Sequence, residues 1–268
     1  SLKAELKACG QSTINCLHIT SWDTDHCNVN ELKKILENYG PKKIEYPGYS
    51  PHTDSGDESL KIIKAYKSEV RNIQKIDPEY IDSLESSKSF GYRNVLYHPK
   101  YISEKSNDNS TVKLFRTGCF NVASLGDVED TNIASRIRGC KTFKNETDII
   151  ILPHHGADNG FTTNSFLKVV KPTVAVCCAN YNNQYEHPKQ EIRDLLYKNE
   201  IKIFTTKTGD ILIKSTGNHT STYQVTNLIS DSSKVSSTCE FKSKKSYLLA
   251  HNEDAIRNRY RTKSKFYK

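Results

Sequence analysis

Two carboxylates and an imidazole fall within four residues in the stretch Ser21-Trp22-Asp23-Thr24-Asp25-His26. In an extended segment Asp23 and Asp25 share one side, because side chains alternate, and His26 follows at once. Hard oxygen ligands beside an imidazole suit zinc or manganese. A helix N-cap with a solvated acidic turn would use the same residues, so this stretch alone leaves both readings open. Two later stretches repeat the chemistry: Asp127 in Leu125-Gly126-Asp127, and His154 with His155 in Pro153-His154-His155-Gly156. His187 precedes Pro188 in a polar loop, where it can contact a substrate, donate a proton or cap the loop.

The elements around these residues decide whether they can meet. Apolar runs predict buried strands over Ile14–Thr20, Lys43–Tyr46, Tyr92–Tyr97, Thr111–Phe115, Cys119–Leu125, Asp148–Leu152, Pro172–Cys178, Ile201–Thr205 and Ile211–Lys214. Helical spacing predicts helices over Leu2–Lys7, Val29–Asn38, Glu58–Val70, Asn132–Arg138, Asn164–Val170 and Gln190–Asn199, with Pro78 opening another. Thr117-Gly118 and Gly209-Asp210 read as hairpin turns. The alternation of strands and helices argues a mixed α/β sandwich. Asp23, Asp25 and His26, then Asp127, then His154 and His155 each follow a strand, where rigid scaffolds place chemistry. Ligands from three strand ends on one sheet edge would make a metal site.

A chain of 268 residues can bury a sizeable core as one large domain or two. Its 35% hydrophobic content and mean hydropathy of -0.67 describe a polar globular protein. No run approaches a membrane span and no signal peptide opens the chain, so a cytoplasmic protein without membrane contact is expected. A start at Ser1 in a chain without methionine suggests that the natural N-terminus is missing. None of the eight cysteines forms a Cys-x-x-Cys pair, and most lie in apolar runs, so they read as reduced and buried. The net charge of +8 is concentrated at the end: Phe241 to Lys268 holds nine Lys or Arg against two acids. With Tyr247, Tyr260, Phe266 and Tyr267 interleaved, this segment could track a phosphate backbone; a solvated tail has the same composition.

Four segments in order resemble the metallo-β-lactamase fold superfamily, and most closely the hydrolase domain of the ComEC competence proteins. They are Thr20-Ser21-Trp22-Asp23-Thr24-Asp25-His26, then Asn107-Asp108-Asn109-Ser110 followed by Leu125-Gly126-Asp127, then Pro153-His154-His155-Gly156-Ala157, and Asn183-Gln184-Tyr185-Glu186-His187-Pro188. The similarity covers roughly Lys3 to Lys214. It implies an αββα sandwich over residues 1–228, trimmed of its N-terminal hairpin or cut from a longer chain, with a basic C-terminal extension over 229–268. A trimmed sandwich would expose a sheet edge.

The departures bear on the site. The family's first histidine falls on Ser21, and no histidine occurs from Ser106 to Asn109. In the two-metal sites of the superfamily those groups serve one ion. The residues implied for the other are Asp25, His26, Asp127 and one of His154 or His155, with Asp23 left as a weak ligand. The resemblance therefore implies one tightly bound Zn2+ or Mn2+ rather than two. It implies a metal-dependent hydrolase acting through a metal-activated water on a phosphodiester substrate, single-stranded DNA among the candidates. In that reading Asp23 or Asp127 orients the water, Asp25 belongs to the same machinery, and His155 is either a ligand or a proton donor. His187 contacts the substrate or acts as an acid. The rival reading is a binding or regulatory protein with a degenerate site.

Overall fold

A computed structural model describes residues 2–66, 72–84, 95–116, 119–217 and 220–244. Cys16–His18 (β1), Lys43–Pro47 (β2) and Asn72–Ile76 (β3) form a parallel sheet in that order. Val95–His98 (β4), Val112–Phe115 (β5), Val122–Ser124 (β6), Ile149–Ile151 (β7), Val174–Cys177 (β8) and Lys202–Thr205 (β9) follow one another across a second sheet. This sheet is antiparallel from β4 to β6 and parallel from β6 to β9. Ile211–Ser215 (β10), Thr222–Leu228 (β11) and Val235–Lys242 (β12) make an antiparallel meander.

Strand register sorts the side chains into layers. One face of the six-stranded sheet sends Val112, Leu114, Ile150 and Ala175 into a core shared with helices Thr131–Gly139, Asn164–Val170 and Gln190–Lys198. On the opposite face, Ile149, Val174, Val176 and Phe204 meet Tyr223 and Val225 of β11. Lys113 aligns through Ser124, Ile151 and Val176 with that same opposite face, and there it meets Glu45 of β2. Both three-stranded sheets therefore pack on one face of the large sheet. Ile44, the neighbour of Glu45, points the other way, into the core beneath helices Val29–Tyr39 and Asp54–Ala65. The result is the mixed α/β sandwich that the alternation of strands and helices predicts.

The contact between β2 and β5 is polar although it is buried. Glu45 is ion-paired to Lys113, lies 2.9 Å from His18 Nδ1, and accepts from Lys43 at 2.6 Å. Burial works against a charged Glu45, but these partners outweigh it and hold the carboxyl well below its usual range. His18 is a satisfied core histidine, its Nε2 2.8 Å from Thr111 Oγ1. His98, for which the sequence offers no partner, meets the Asp108 carbonyl, Arg136 and the Lys100 N–H.

Several expected boundaries move. The helix expected from Glu58 begins at Asp54, because Thr53 accepts from the Gly56 amide and Asp54 and Asp57 suit the positive end of the helix. Strand β10 pairs with β11 and not with β9: a short 3-10 turn, Thr206–Thr208, carries the chain out of the large sheet. The boundary expected at residue 228 falls inside a hairpin, since β12 pairs along β11 and Lys244 donates to Asp148 Oδ1. Of the cysteines, only Cys27 and Cys177 are buried, whereas Cys9 and Cys178, at the ends of their elements, are exposed. The Thr117-Gly118 turn, His251 and the basic segment from residue 245 onward lie outside the described residues.

Candidate metal centre

The turn after β1 is anchored from behind. Ile19 N–H continues the pairing with Glu45, and Thr20 C=O accepts from Thr111. Trp22 is 1% exposed, donates its indole N–H to the Tyr49 carbonyl at 2.9 Å and packs on Tyr46. Truncating so large a core side chain costs about 3–5 kcal/mol. With Trp22 fixed, the chain folds back at Asp23, whose carbonyl accepts from His26 and Cys27 at 2.9 and 2.8 Å. His26 then projects toward the large sheet.

Asp127 arrives from the end of β6. Gly126 before it has φ 57°, and a Cβ there would stand 2.7 Å from Ser110 Cβ, so the approach needs glycine. Its carbonyl accepts from His154 N–H at 3.0 Å, tying the turn after β6 to the turn after β7. In that second turn His154 and His155 both adopt left-handed backbone, φ 45° and 54°. Such conformations cost non-glycine residues roughly 1–3 kcal/mol each and cluster at functional sites.

The three turns bring Asp25, His26, Asp127 and His155 together, with one potential ligand atom from each within 4.8 Å of all the others. His26 Nε2 lies 2.7 Å from Asp127 Oδ2 and His155 Nε2 3.1 Å from Asp25 Oδ2. His26 Nδ1 is 2.8 Å from Thr20 Oγ1. His155 Nδ1 is 2.7 Å from the Cys178 carbonyl. A carbonyl only accepts, so Nδ1 carries a proton and Nε2 is the nitrogen that faces the cluster, the orientation metal-binding histidines use.

Two observations fit a cation to these residues. His26 Nε2 and Asp127 Oδ1 are buried and without hydrogen-bond partners, and the close approach of His26 to Asp127 lacks hydrogen-bond geometry. Orphaned buried polar atoms are uncommon and call for a ligand. The cluster also draws protons in place of an ion. The hydrogen bond to Asp25 pushes His155 up to about 9, and its return holds Asp25 near about 2. Burial opposes charge on His26, but the Asp127 carboxylate outweighs it and raises the imidazole.

Not every expected residue joins. His154 turns away and pairs with Glu129, so of the two adjacent histidines His155 faces the cluster. Asp23 is held in a separate corner: Ser21 Oγ donates to Asp23 Oδ2 at 2.6 Å. Tyr49 OH therefore donates to Ser21 Oγ at 2.9 Å, and it accepts from Trp22 N–H at 3.0 Å. His187 sits at the rim, 7% exposed, its ring 5.9 Å from that of His154 and 6.3 Å from that of His155. Its Nδ1 is buried and unpartnered. Burial and the neighbouring His154 and His155 lower its pKa. Thr20, Tyr49, Glu129 and the Cys178 carbonyl escape the sequence reading. Glu129, two residues after Asp127, is the most accessible of them, as a second acid in the same turn.

Beside Glu129 opens a cavity of about 600 Å³ lined by Glu104, Lys105, Asp108 and Asp130 among others. Among the described residues no helix is long and apolar enough to cross a membrane.

No family model matches the chain. It is similar to ComE operon protein 3 of Bacillus subtilis (strain 168), 24% identical over 225 residues, which cover 82% of this chain and 27% of that protein. The chain thus spans about a quarter of that relative's length. A solved structure described as a new diphosphatase from the PhnP family aligns at 14% identity and a TM-score of 0.35, over 65% of this chain and 63% of the other. The resemblance to the ComEC proteins, first visible in the four motifs, therefore extends over most of the chain.

Proposed function

We propose that this chain is a metal-dependent hydrolase of phosphodiesters, with nucleic acid as its substrate class and one divalent cation, Zn2+ or Mn2+, held by Asp25, His26, Asp127 and His155. The observation that carries the reading is the convergence of those four residues with two buried ligand atoms unsatisfied. When bound, such an ion lowers the pKa of water toward neutrality and polarises a phosphoryl oxygen.

The chain's own residues supply the rest. The Cys178 carbonyl and Thr20 hydroxyl fix the two imidazoles, so their ligating nitrogens are aimed before any ion arrives. Asp25, exposed at the mouth, can accept a proton from an attacking water. His187, at the rim beside His155, contacts the substrate. Asp23, tied to Ser21, keeps the turn in shape rather than touching the reacting atoms, and His154 with Glu129 braces the strained turn. Lys and Arg of the segment after residue 244 add affinity for a phosphate backbone without shaping the site.

Elemental analysis with a screen on bis-p-nitrophenyl phosphate and single-stranded DNA tests this. About one tightly held ion per chain, and turnover abolished in Asp127→Asn, are expected. A purified protein that binds no divalent ion and hydrolyses neither substrate would leave the second reading, a binding or regulatory protein. The satisfied Ser21–Asp23–Tyr49 corner favours that alternative, because the family's first-motif histidine is replaced there. Removal of residues 245–268 should weaken DNA binding and flatten its salt dependence, by roughly 0.7 in slope for each single-strand phosphate that the segment neutralises. Turnover of the small phosphodiester should stay the same. Unchanged DNA affinity and slope would take the nucleic-acid role away from this segment.

A further inference from the structure

The loop between β8 and helix Gln190–Lys198 carries two solvent-facing tyrosines, Tyr181 at 72% and Tyr185 at 62% exposure. A single exposed tyrosine is ordinary on any protein surface. Tyr185 differs because its ring lies nearly parallel to that of His187, with centroids 5.8 Å apart and planes 20° apart. His187 in turn lies nearly parallel to His155, at 6.3 Å and 24°. Three rings thus form a ladder that begins at the metal centre and ends in solvent. The stem of the loop is fixed: Asn183 accepts from His187 N–H at 2.6 Å and donates back to the His187 carbonyl, and Lys189 N–H donates to Gly156. Tyr185 therefore has His187 on its inner side and turns its outward side to solvent.

The surroundings say what that open face suits. The cavity beside Glu129 is acidic and repels a phosphate backbone. A polyanionic substrate accordingly favours the flank of His187 and Tyr185. Tyr185 stands two ring spacings, of 5.8 and 6.3 Å, from His155, a reach longer than one sugar–phosphate unit. A phosphate at the metal centre would leave a base further along the same strand within reach of the tyrosine. Stacking on aromatic rings is tolerant of sequence, because every base has a π face. In a duplex both faces of each base are already occupied.

We propose that the outward face of Tyr185 is the seat of an unpaired nucleobase, so that the site takes single-stranded rather than duplex nucleic acid. This deepens the phosphodiesterase reading and rests on it for the position of the phosphate. The test separates the two. Full-length Asp127→Asn protein is titrated with two fluorescently labelled single-stranded probes of equal length and charge. One is oligothymidylate and the other is its abasic counterpart. The base-bearing probe is expected to bind roughly tenfold more tightly or better. Adding Tyr185→Ala should bring that ratio close to one, while Tyr185→Phe should preserve it. In otherwise unsubstituted protein, KM for oligothymidylate should rise in Tyr185→Ala with kcat little altered. No preference for the base-bearing probe, or a preference that survives Tyr185→Ala, overturns the seat. A Tyr185-dependent preference, with no turnover in the protein that keeps Asp127, supports the seat and sinks only the hydrolase reading. Circular dichroism of Tyr185→Ala checks that the loss is local, as expected for so exposed a side chain.

Discussion

Two polar corners flank the turn after β1, and they have settled their hydrogen bonds in opposite ways. In the Ser21–Asp23–Tyr49 corner, donation runs from Trp22 N–H to Tyr49, from Tyr49 to Ser21 and from Ser21 to Asp23. In the Asp25–His26–Asp127–His155 corner, His26 Nε2 and Asp127 Oδ1 are buried without a hydrogen bond, and meet only ion-pair neighbours at 2.7 and 3.8 Å. Burying a polar group without a partner costs free energy, so the second corner is organised for something it does not itself contain. The first corner has closed on itself. The contrast teaches that a motif's residues alone do not mark a site; what marks it is which of their atoms remain unpartnered.

The largest expected effect follows from removing one of those unpartnered atoms. Asp127→Asn should lower kcat on a phosphodiester on the order of a thousandfold or more, since a polarising ion supplies several kcal/mol. Ser21→Ala, in the closed corner, should leave most turnover intact. Equal losses in both would erase the distinction. Next comes Thr20→Val, which removes the partner of His26 Nδ1. Zinc affinity, measured by competition with a chelator, should fall about 10- to 100-fold, and an unchanged affinity would mean that Thr20 does not orient the ring.

A smaller effect, on stability only, belongs to Tyr49→Phe. It strands the buried Trp22 N–H and should cost about 1–3 kcal/mol in urea unfolding. The metal content should stay at about one ion per chain. Loss of a second ion on this substitution would show the closed corner to be a ligand site after all.

The smallest effect is a pH signature of the metal-free protein. His155 is raised from 6.5 to about 9, so its contribution is complete below 6.5 and lost as pH climbs through about 9. Asp25 is lowered from 3.8 to about 2, so its contribution holds above 3.8 and fades as pH falls through about 2. These are two views of one interaction, and the exposure of Asp25 keeps it small. In chelator, Tm should therefore decline from pH 6.5 to 9.5 more steeply than in Asp25→Asn. With zinc bound, His155 is already unprotonated and this alkaline decline should vanish. Identical slopes in chelator and zinc would argue that His155 does not meet the ion.

Much of this is legible in the sequence because the candidate ligands sit at strand ends, and strands announce themselves by apolar runs. The choice between His154 and His155 is not: both lie in left-handed backbone, where neighbouring side chains obey no alternation that a sequence displays. Asp23 groups with Asp25 on the rule for extended chains, but the chain turns at Asp23 and the rule lapses. Strand β12 escapes a reading by apolar runs because it is polar and mostly exposed, and it is held by pairing with β11 rather than by burial. The Tyr49 hydroxyl lies 28 residues from Ser21 in sequence, and only the packing of β2 against the turn brings them together.

The interaction of Asp25 with His155 joins residues 130 positions apart. The first pair of candidate ligands hangs from the small parallel sheet and the second from the large one. A cation at that point would be a removable cross-link between two layers of the sandwich, topologically akin to a disulfide but governed by mass action. At a free ion concentration a hundred times Kd it would add about 2.7 kcal/mol to the resistance of the whole chain to unfolding. Starving the protein of metal would then loosen the seam between the sheets, exposing it first to proteases at the very place where the chemistry is assembled.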